Sequence, residues 1–181
     1  MSVIYTKKGD KGTSALINGG DGVAKNSEVF EVLGDIDELN ATLGFLHTCR
    51  IKELLSLVHD IQFDLLTLGS VVAKSKDAFA TQEYWDKRTG ILEAKINQLD
   101  AINSPLKNFI APGGSTVSAQ FHLSRVVCRR AERTLVKYVK SHKDIVFLVP
   151  YLNRLSDLLF VMARYANAKL GVKDVVWKFS C

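Results

Sequence analysis

Between Phe121 and Arg133 the chain carries one histidine and four arginines: His122, Arg125, Arg129, Arg130 and Arg133. No glycine or proline interrupts the stretch, so it reads as helix. Each helical residue advances by about 100°, which places His122, Arg125, Arg129 and Arg133 in a strip roughly 80° wide. Like charges four apart on a helix repel by a few tenths of a kcal/mol per pair. Such a strip calls for anions. They could be the chain's own carboxylates, those of a second subunit, or a polyphosphate gripped by paired guanidinium contacts.

A second basic cluster sits near the start. Thr6, Lys7, Lys8, Gly9, Asp10, Lys11, Gly12, Thr13 and Ser14 put cations, hydroxyls and backbone amides into nine residues. Glycines let a backbone approach a ligand closely, and successive amides make a nest for phosphate. The competing reading is a turn-rich surface arm. It is not a Walker A loop, since no G-x-x-x-x-G-K-[ST] occurs. A further glycine-rich stretch, Asn18 to Gly22, precedes Lys25.

Three other groups could join such a site. Asp37, Asn40 and Gly44 share a helical face. Asp37 lies well inside its helix, where it is either solvated or paired with a cation such as Arg125. Asn153 and Asp157 are four apart, and an Asn amide can both donate to and accept from a nucleotide. Phe109 stands just before Pro112-Gly113-Gly114, either as a core plug or facing a cofactor. His47, His59 and His142 show no metal-ligand spacing, so no protein metal site is expected. Spacing alone supports no Ser-His-Asp or Cys-His nucleophile arrangement.

The elements that must position these groups are helical. The chain has 181 residues, 47% of them hydrophobic, which suits one domain with a sizeable core. It holds 3 prolines, and its 12 glycines gather mostly in the first half. Apolar residues recur at helical spacing over about 27–48 (Val29, Val32, Leu33, Ile36, Leu39, Leu43, Leu46) and 51–74 (Leu54, Val58, Ile61, Leu65, Leu68, Val72). Further segments span about 82–102, 115–141 and 149–170, with Ser115 placed to cap the fourth. Long amphipathic helices with short connections predict an all-α, antiparallel five-helix bundle over 26–170. An irregular glycine-rich arm (1–25) precedes it and a short apolar tail (171–181) follows.

Net charge is +5, but the cations form no tail and few aromatics interleave with them, so nucleic acid is not the expected partner. No uninterrupted apolar run suggests a membrane span. Cys49, Cys128 and Cys181 are too scattered for a zinc site or a disulfide framework. Free thiols and the lack of a signal or transit pattern lead us to expect a cytoplasmic protein.

Taken in order, the arm from Tyr5 to Gly12, Gly34 to Asn40, Phe109 to Gly114, His122 to Arg133 and Asn153 to Asp157 resemble the ATP:cob(I)alamin adenosyltransferase family of the propanediol-utilisation type. The resemblance covers nearly the whole chain. It implies a homotrimer with active sites between subunits, which moves the 5′-deoxyadenosyl group of ATP to cob(I)alamin and releases triphosphate. It implies that Thr6, Lys7, Lys8, Gly9, Asp10, Gly12, Ser14 and Lys25 wrap ATP, with Arg129, Arg130, Glu132, Arg133 and Asn153 completing the site. Asp37 would pair with Arg125 across the interface. Phe109 would press on the lower face of the corrin, with His122 and Arg125 near the cobalamin. Mg²⁺ would accompany ATP. A cob(II)alamin reductase and an adenosylcobalamin-dependent mutase or dehydratase are the implied partners. Two rival readings are a non-catalytic ATP- or cobalamin-binding bundle and a basic helical RNA-binding module.

Overall fold

The computed structural model describes residues 5, 7–16, 20–74 and 81–177. Among them are five α-helices: α1 (Glu28–Gly44), α2 (Lys52–Val72), α3 (Gln82–Asp100), α4 (Thr116–Tyr138) and α5 (Val149–Lys169). A 3₁₀ turn, Phe45–Thr48, follows α1, and another, Lys143–Leu148, leads into α5. These bounds shorten the predicted fourth helix at both ends and hand the last turn of the first to 3₁₀ geometry.

Local chemistry starts the helices where it should. Ser115 Oγ accepts from the Ser118 amide at 3.2 Å and caps α4, as its position after the glycine pair predicts. Thr81 does the same for α3 through the Tyr84 amide. Pro150 sits in the first turn of α5, where its missing N–H costs no helical bond.

The apolar stripes meet in one core. Helix α4 packs against α1 and α5, α3 packs against α5, and α2 against α1. Val32, Leu39, Leu43, Val58, Leu65, Leu68 and Leu135 are fully buried. Trp85 and Tyr151 stack edge to face at 5.1 Å in the centre. One charged group shares that interior. Asp64 on α2 accepts from Arg88 Nη2 at 2.6 Å, from Arg88 Nε at 2.9 Å and from the Tyr151 hydroxyl at 2.7 Å. This network ties α2, α3 and α5 together, and burial with the adjacent carboxylate raises the Tyr151 pKa well above the ordinary tyrosine value.

Two features correct the sequence expectations. The arm is not irregular throughout: β1 (Thr13–Leu16) and β2 (Gly20–Ala24) form an antiparallel pair with Thr13 opposite Ala24. Period-two alternation is too short there to read against the glycines. The short apolar tail carries a strand: β4 (Val175–Val176) pairs antiparallel with β3 (Ile110–Ala111), just after Phe109. By length and composition alone, Lys52–Val72 and Lys143–Lys169 could also cross a membrane, although no uninterrupted apolar run suggested one. Their Asp64 and Arg164 are answered by polar groups inside the bundle, and their apolar residues supply its core.

Candidate functional site

The α4 strip is less uniform than its spacing suggested. His122 is buried, with its ring 5.9 Å from that of Phe160. Burial, then the charge on Arg125, lowers its pKa below the ordinary histidine value, against a smaller pull from Asp174. The expected four cations are therefore three, because the interior favours neutral imidazole. Arg125 is half-buried, and its Nε is enclosed with no hydrogen-bond partner. Burial, and next the neighbouring Arg129 charge, lowers its pKa. Arg129 and Arg133 are exposed, and among the described residues neither guanidinium is ion-paired.

Arg130 stands one position off the strip and turns to α1. Its Nε donates to Asp35 at 3.1 Å and its Nη2 to Glu38. The Thr134 hydroxyl also donates to Asp35. These carboxylates are its own chain's, so Arg130 is not grouped with Arg129 and Arg133 as expected. Across the helix interface, Asn153 Nδ2 donates to Glu132 Oε1 at 2.9 Å. Of the expected α4–α5 group, Glu132 and Asn153 are thus joined across two packed helices, Arg133 Nη1 donates to Arg129 O one turn away, and Arg130 turns to α1. A cavity of about 320 Å³ is lined by Arg125, Arg129, Asp157, Phe160 and Arg164 among others.

The basic arm forms a compact loop. Gly12 accepts the Lys25 amide at 2.9 Å, and the Gly12 amide returns to Gly9 O at 3.2 Å. Gly12 has φ of 78°, a left-handed conformation suited to glycine. The strand pair β1–β2 thereby returns Lys25 to the loop. A Cβ on Gly9 would lie 2.9 Å from Lys25 Nζ, so the glycine makes room for the ammonium group. Among the described residues the amides of Lys8, Gly9 and Lys11 have no internal partner. With Lys7, Lys8 and Lys11 exposed around them, the loop has the amides and cations that a phosphate cradle needs. Asp10 is exposed and Ser14 half-buried in β1, while Thr6 lies outside the described residues.

The cradle and the α4–α5 group do not meet within one chain. Leu16 and Val23 pack the arm onto the core, and Ala15 and Leu16 border an apolar cavity of about 270 Å³ with α1 and α2. Asp37 lines that cavity, exposed and without a partner among the described residues. Asp35 and Glu38 face α4, and Asp37 lies about 130° round the helix from their midpoint. Asp37 is therefore turned away from its own Arg125. No hydrogen bond or ion pair among the described residues joins the arm to Arg129, Arg133 or Asn153.

Phe109 is no core plug. It is 80% exposed, its carbonyl accepts the Trp177 amide at 2.8 Å, and its ring lies 6.5 Å from the Trp177 indole, edge to face. Exposed Val175 and Val176 extend this apolar wall. Beside it lies a cavity of about 390 Å³ bordered by Ile110, Val176 and Arg164. It shares Leu106 and Arg164 with the cavity lined by Arg125 and Arg129, so the two cavities adjoin. Sequence reasoning passed over Arg164, Asn167 and Asp174, which brace this region. Two polar residues in the apolar run Val161–Ala168 were the available signal.

Comparison with known proteins gives one consistent match. The Cobalamin adenosyltransferase family model matches residues 4–166. The corrinoid adenosyltransferase of Bacillus subtilis is 37% identical, covering 98% of this chain and 93% of its own. The human corrinoid adenosyltransferase MMAB is 37% identical over 96% of this chain and 72% of its own. Among solved structures, a variant PduO-type ATP:corrinoid adenosyltransferase from Lactobacillus reuteri, complexed with cobalamin and ATP, superposes with a TM-score of 0.87. It is 30% identical, and 97% of each chain is covered.

Proposed function

Because the chain belongs to the cobalamin adenosyltransferase family, we propose that it transfers the 5′-deoxyadenosyl group of ATP to cob(I)alamin. The observation that carries this reading is the exposed aromatic wall of Phe109 and Trp177, next to Ile110 and Val176 of a cavity that adjoins the one lined by Arg125 and Arg129. An apolar wall suits the flat face of a corrin. Exposed guanidinium groups suit a triphosphate.

The chemistry asks for positioning rather than for a base. The cobalt electron pair of cob(I)alamin attacks C5′ of ATP, the cobalt–carbon bond forms, and the C5′–O5′ bond breaks. Its electron pair leaves on the triphosphate oxygen, so no proton need move in the step. Arg129 and Arg133 would meet the charge that develops there, with Glu132 and Asn153 holding the nucleoside end. Lys7, Lys8, Gly9, Asp10, Gly12, Ser14 and Lys25 would wrap the phosphates, with Thr6 beside them. Among the described residues no group of three or more His, Cys, Asp or Glu side chains converges. Mg²⁺ would therefore be held by phosphate oxygens and water. Phe109 would cover the lower face of the corrin and keep an axial ligand from the cobalt, which makes cob(I) easier to reach. Arg125 would lie at the edge of that site, with His122 packed behind it.

The two half-sites support assembly. Among the described residues, Asp37 lacks a cation on one face and Arg125 Nε lacks an acceptor on another. Complementary groups on different faces of one chain are satisfied by a head-to-tail contact, which makes a ring when its rotation closes. We take the ring to be a homotrimer, with Asp37 of one subunit meeting Arg125 of the next and the arm closing over the neighbour's arginines. The free, buried thiols of Cys49 and Cys128 suit a reducing compartment, the cytoplasm. There a reductase would supply cob(I)alamin, and an adenosylcobalamin-dependent mutase or dehydratase would use the product.

An anaerobic assay with ATP and chemically reduced cobalamin tests the activity. Adenosylcobalamin and intact triphosphate should form in equal amounts. Release of ADP, or of nothing, would overturn the reading.

A further inference from the structure

The tail that carries Trp177 has little to hold it by its own pairing. Strands β3 and β4 contribute two residues each, and so short a pair is not stable alone. Besides backbone bonds at Val172 and Trp177, one carboxylate just before the strand ties it to α5. Asp174 Oδ2 accepts from Arg164 Nε at 2.8 Å, and Asp174 Oδ1 accepts from Asn167 Nδ2 at 3.2 Å.

Both donors are buried and fully engaged. The Arg164 side chain is 5% exposed, and its other nitrogens reach Ser104 O at 2.6 Å and Asp100 at 3.6 Å. Asn167 Nδ2 also donates to Gly113 O, while its Oδ1 accepts the amide and the hydroxyl of Ser115 at 2.9 and 3.0 Å. The backbone carbonyl of Asn167 accepts the Val172 amide. A Cβ on Gly114 would lie 2.4 Å from Asn167 Nδ2, so this glycine makes room for the Asn167 side chain. Two residues of α5 thus gather the end of α3, the start of α4 and the tail at one point. One residue past β4, the Trp177 amide binds Phe109 O.

We propose that Asp174 is a positioning residue for the corrinoid. Its bonds to Arg164 and Asn167 clamp β4, so that Trp177 and Phe109 stand as one wall. This rests on the reading that Phe109 faces the corrin. Asp174 touches neither substrate. It acts by setting where Trp177 stands.

Acrylamide quenching and steady-state kinetics on the full chain test the clamp together. The chain has two tryptophans, and Trp85 is fully buried, so quenching reports Trp177. Trp177 is 54% exposed, so releasing it leaves room for a rise of about twofold in quenching. In Asp174→Ala that rise is expected, with the KM for the corrinoid up about tenfold from the loss of charge-assisted bonds. The KM for ATP should stay at the wild-type value, and Asp174→Glu should recover part of the corrinoid effect. Should Asp174→Ala fail to fold, Asp174→Asn keeps a bond to Asn167 and gives the same readouts. Unchanged quenching would overturn the clamp. Equal rises in both KM values with a lowered Tm would reduce Asp174 to a structural role and overturn it too. Phe109→Ala separates the clamp from its premise. If that variant keeps the wild-type corrinoid KM, the assignment of the wall to the corrin fails, while quenching still judges the clamp. If its KM rises and that of Asp174→Ala does not, the clamp alone fails.

Discussion

Arg129 and Arg130 are neighbours in sequence, yet only Arg130 is ion-paired among the described residues, with Asp35 and Glu38. Replacing each with alanine makes the sharpest test. Arg129 is exposed and has no ion pair among the described residues, so its loss should leave folding stability within about 0.5 kcal/mol of wild type. If it meets the departing triphosphate, the lost donor should lower kcat by about 10²- to 10³-fold, the range for removing one preorganised transition-state contact. Arg130 is committed to Asp35 and Glu38, and its side chain is 43% exposed. Such a solvent-screened pair contributes at most about 1 kcal/mol. For a chain of this size that is a fall in Tm of roughly 2–4 °C. The Thr134 bond to Asp35 remains in place, so α1 and α4 stay docked and kcat should change by less than about threefold, under 1 kcal/mol of barrier. The assay is single-turnover formation of adenosylcobalamin, with thermal unfolding in parallel. A loss of kcat in Arg130→Ala that matches Arg129→Ala, without loss of Tm, would refute the division.

Three further outcomes are expected. Asp64→Ala leaves the buried Tyr151 hydroxyl and Arg88 without their acceptor and should cost about 3 kcal/mol in denaturant unfolding, against about 1 kcal/mol for Tyr151→Phe; a larger loss in the phenylalanine variant would contradict the network. Asp37→Ala should shift sedimentation toward monomer while the isolated chain keeps its helix content, since Asp37 has no partner among the described residues; an unchanged assembly would count against the Arg125 contact. His122 has a folded pKa below 6.5, so folded protein binds fewer protons there than unfolded protein, and stability falls as pH drops below that value. Replacing His122 with phenylalanine should flatten the stability curve between pH 6.5 and the carboxylate range; an unchanged slope would place the titration elsewhere.

Much of this molecule is legible in the chain. The apolar period places all five helices, and the residues it selects, such as Val32, Leu39, Leu65 and Leu68, are the ones buried. Spacing also put Arg125, Arg129 and Arg133 on one face, and the Ser115 cap lay where the glycine pair ended. These are local facts, because helix geometry sets the angle between residues on the same helix. What the neighbouring elements bring to each face is not local. Only packing shows that α1 presents Asp35 and Glu38 to Arg130 and turns Asp37 away, or that His122 is enclosed and neutral. Only packing brings Val175 to Ala111 and Trp177 to Phe109, across some 65 residues of chain, and folds the arm so that Lys25 returns to Gly9. The residue types and spacings called for a face that meets anions. The long-range contacts decided which cations are free to do so, because a charge is available only where no neighbour has already neutralised or buried it.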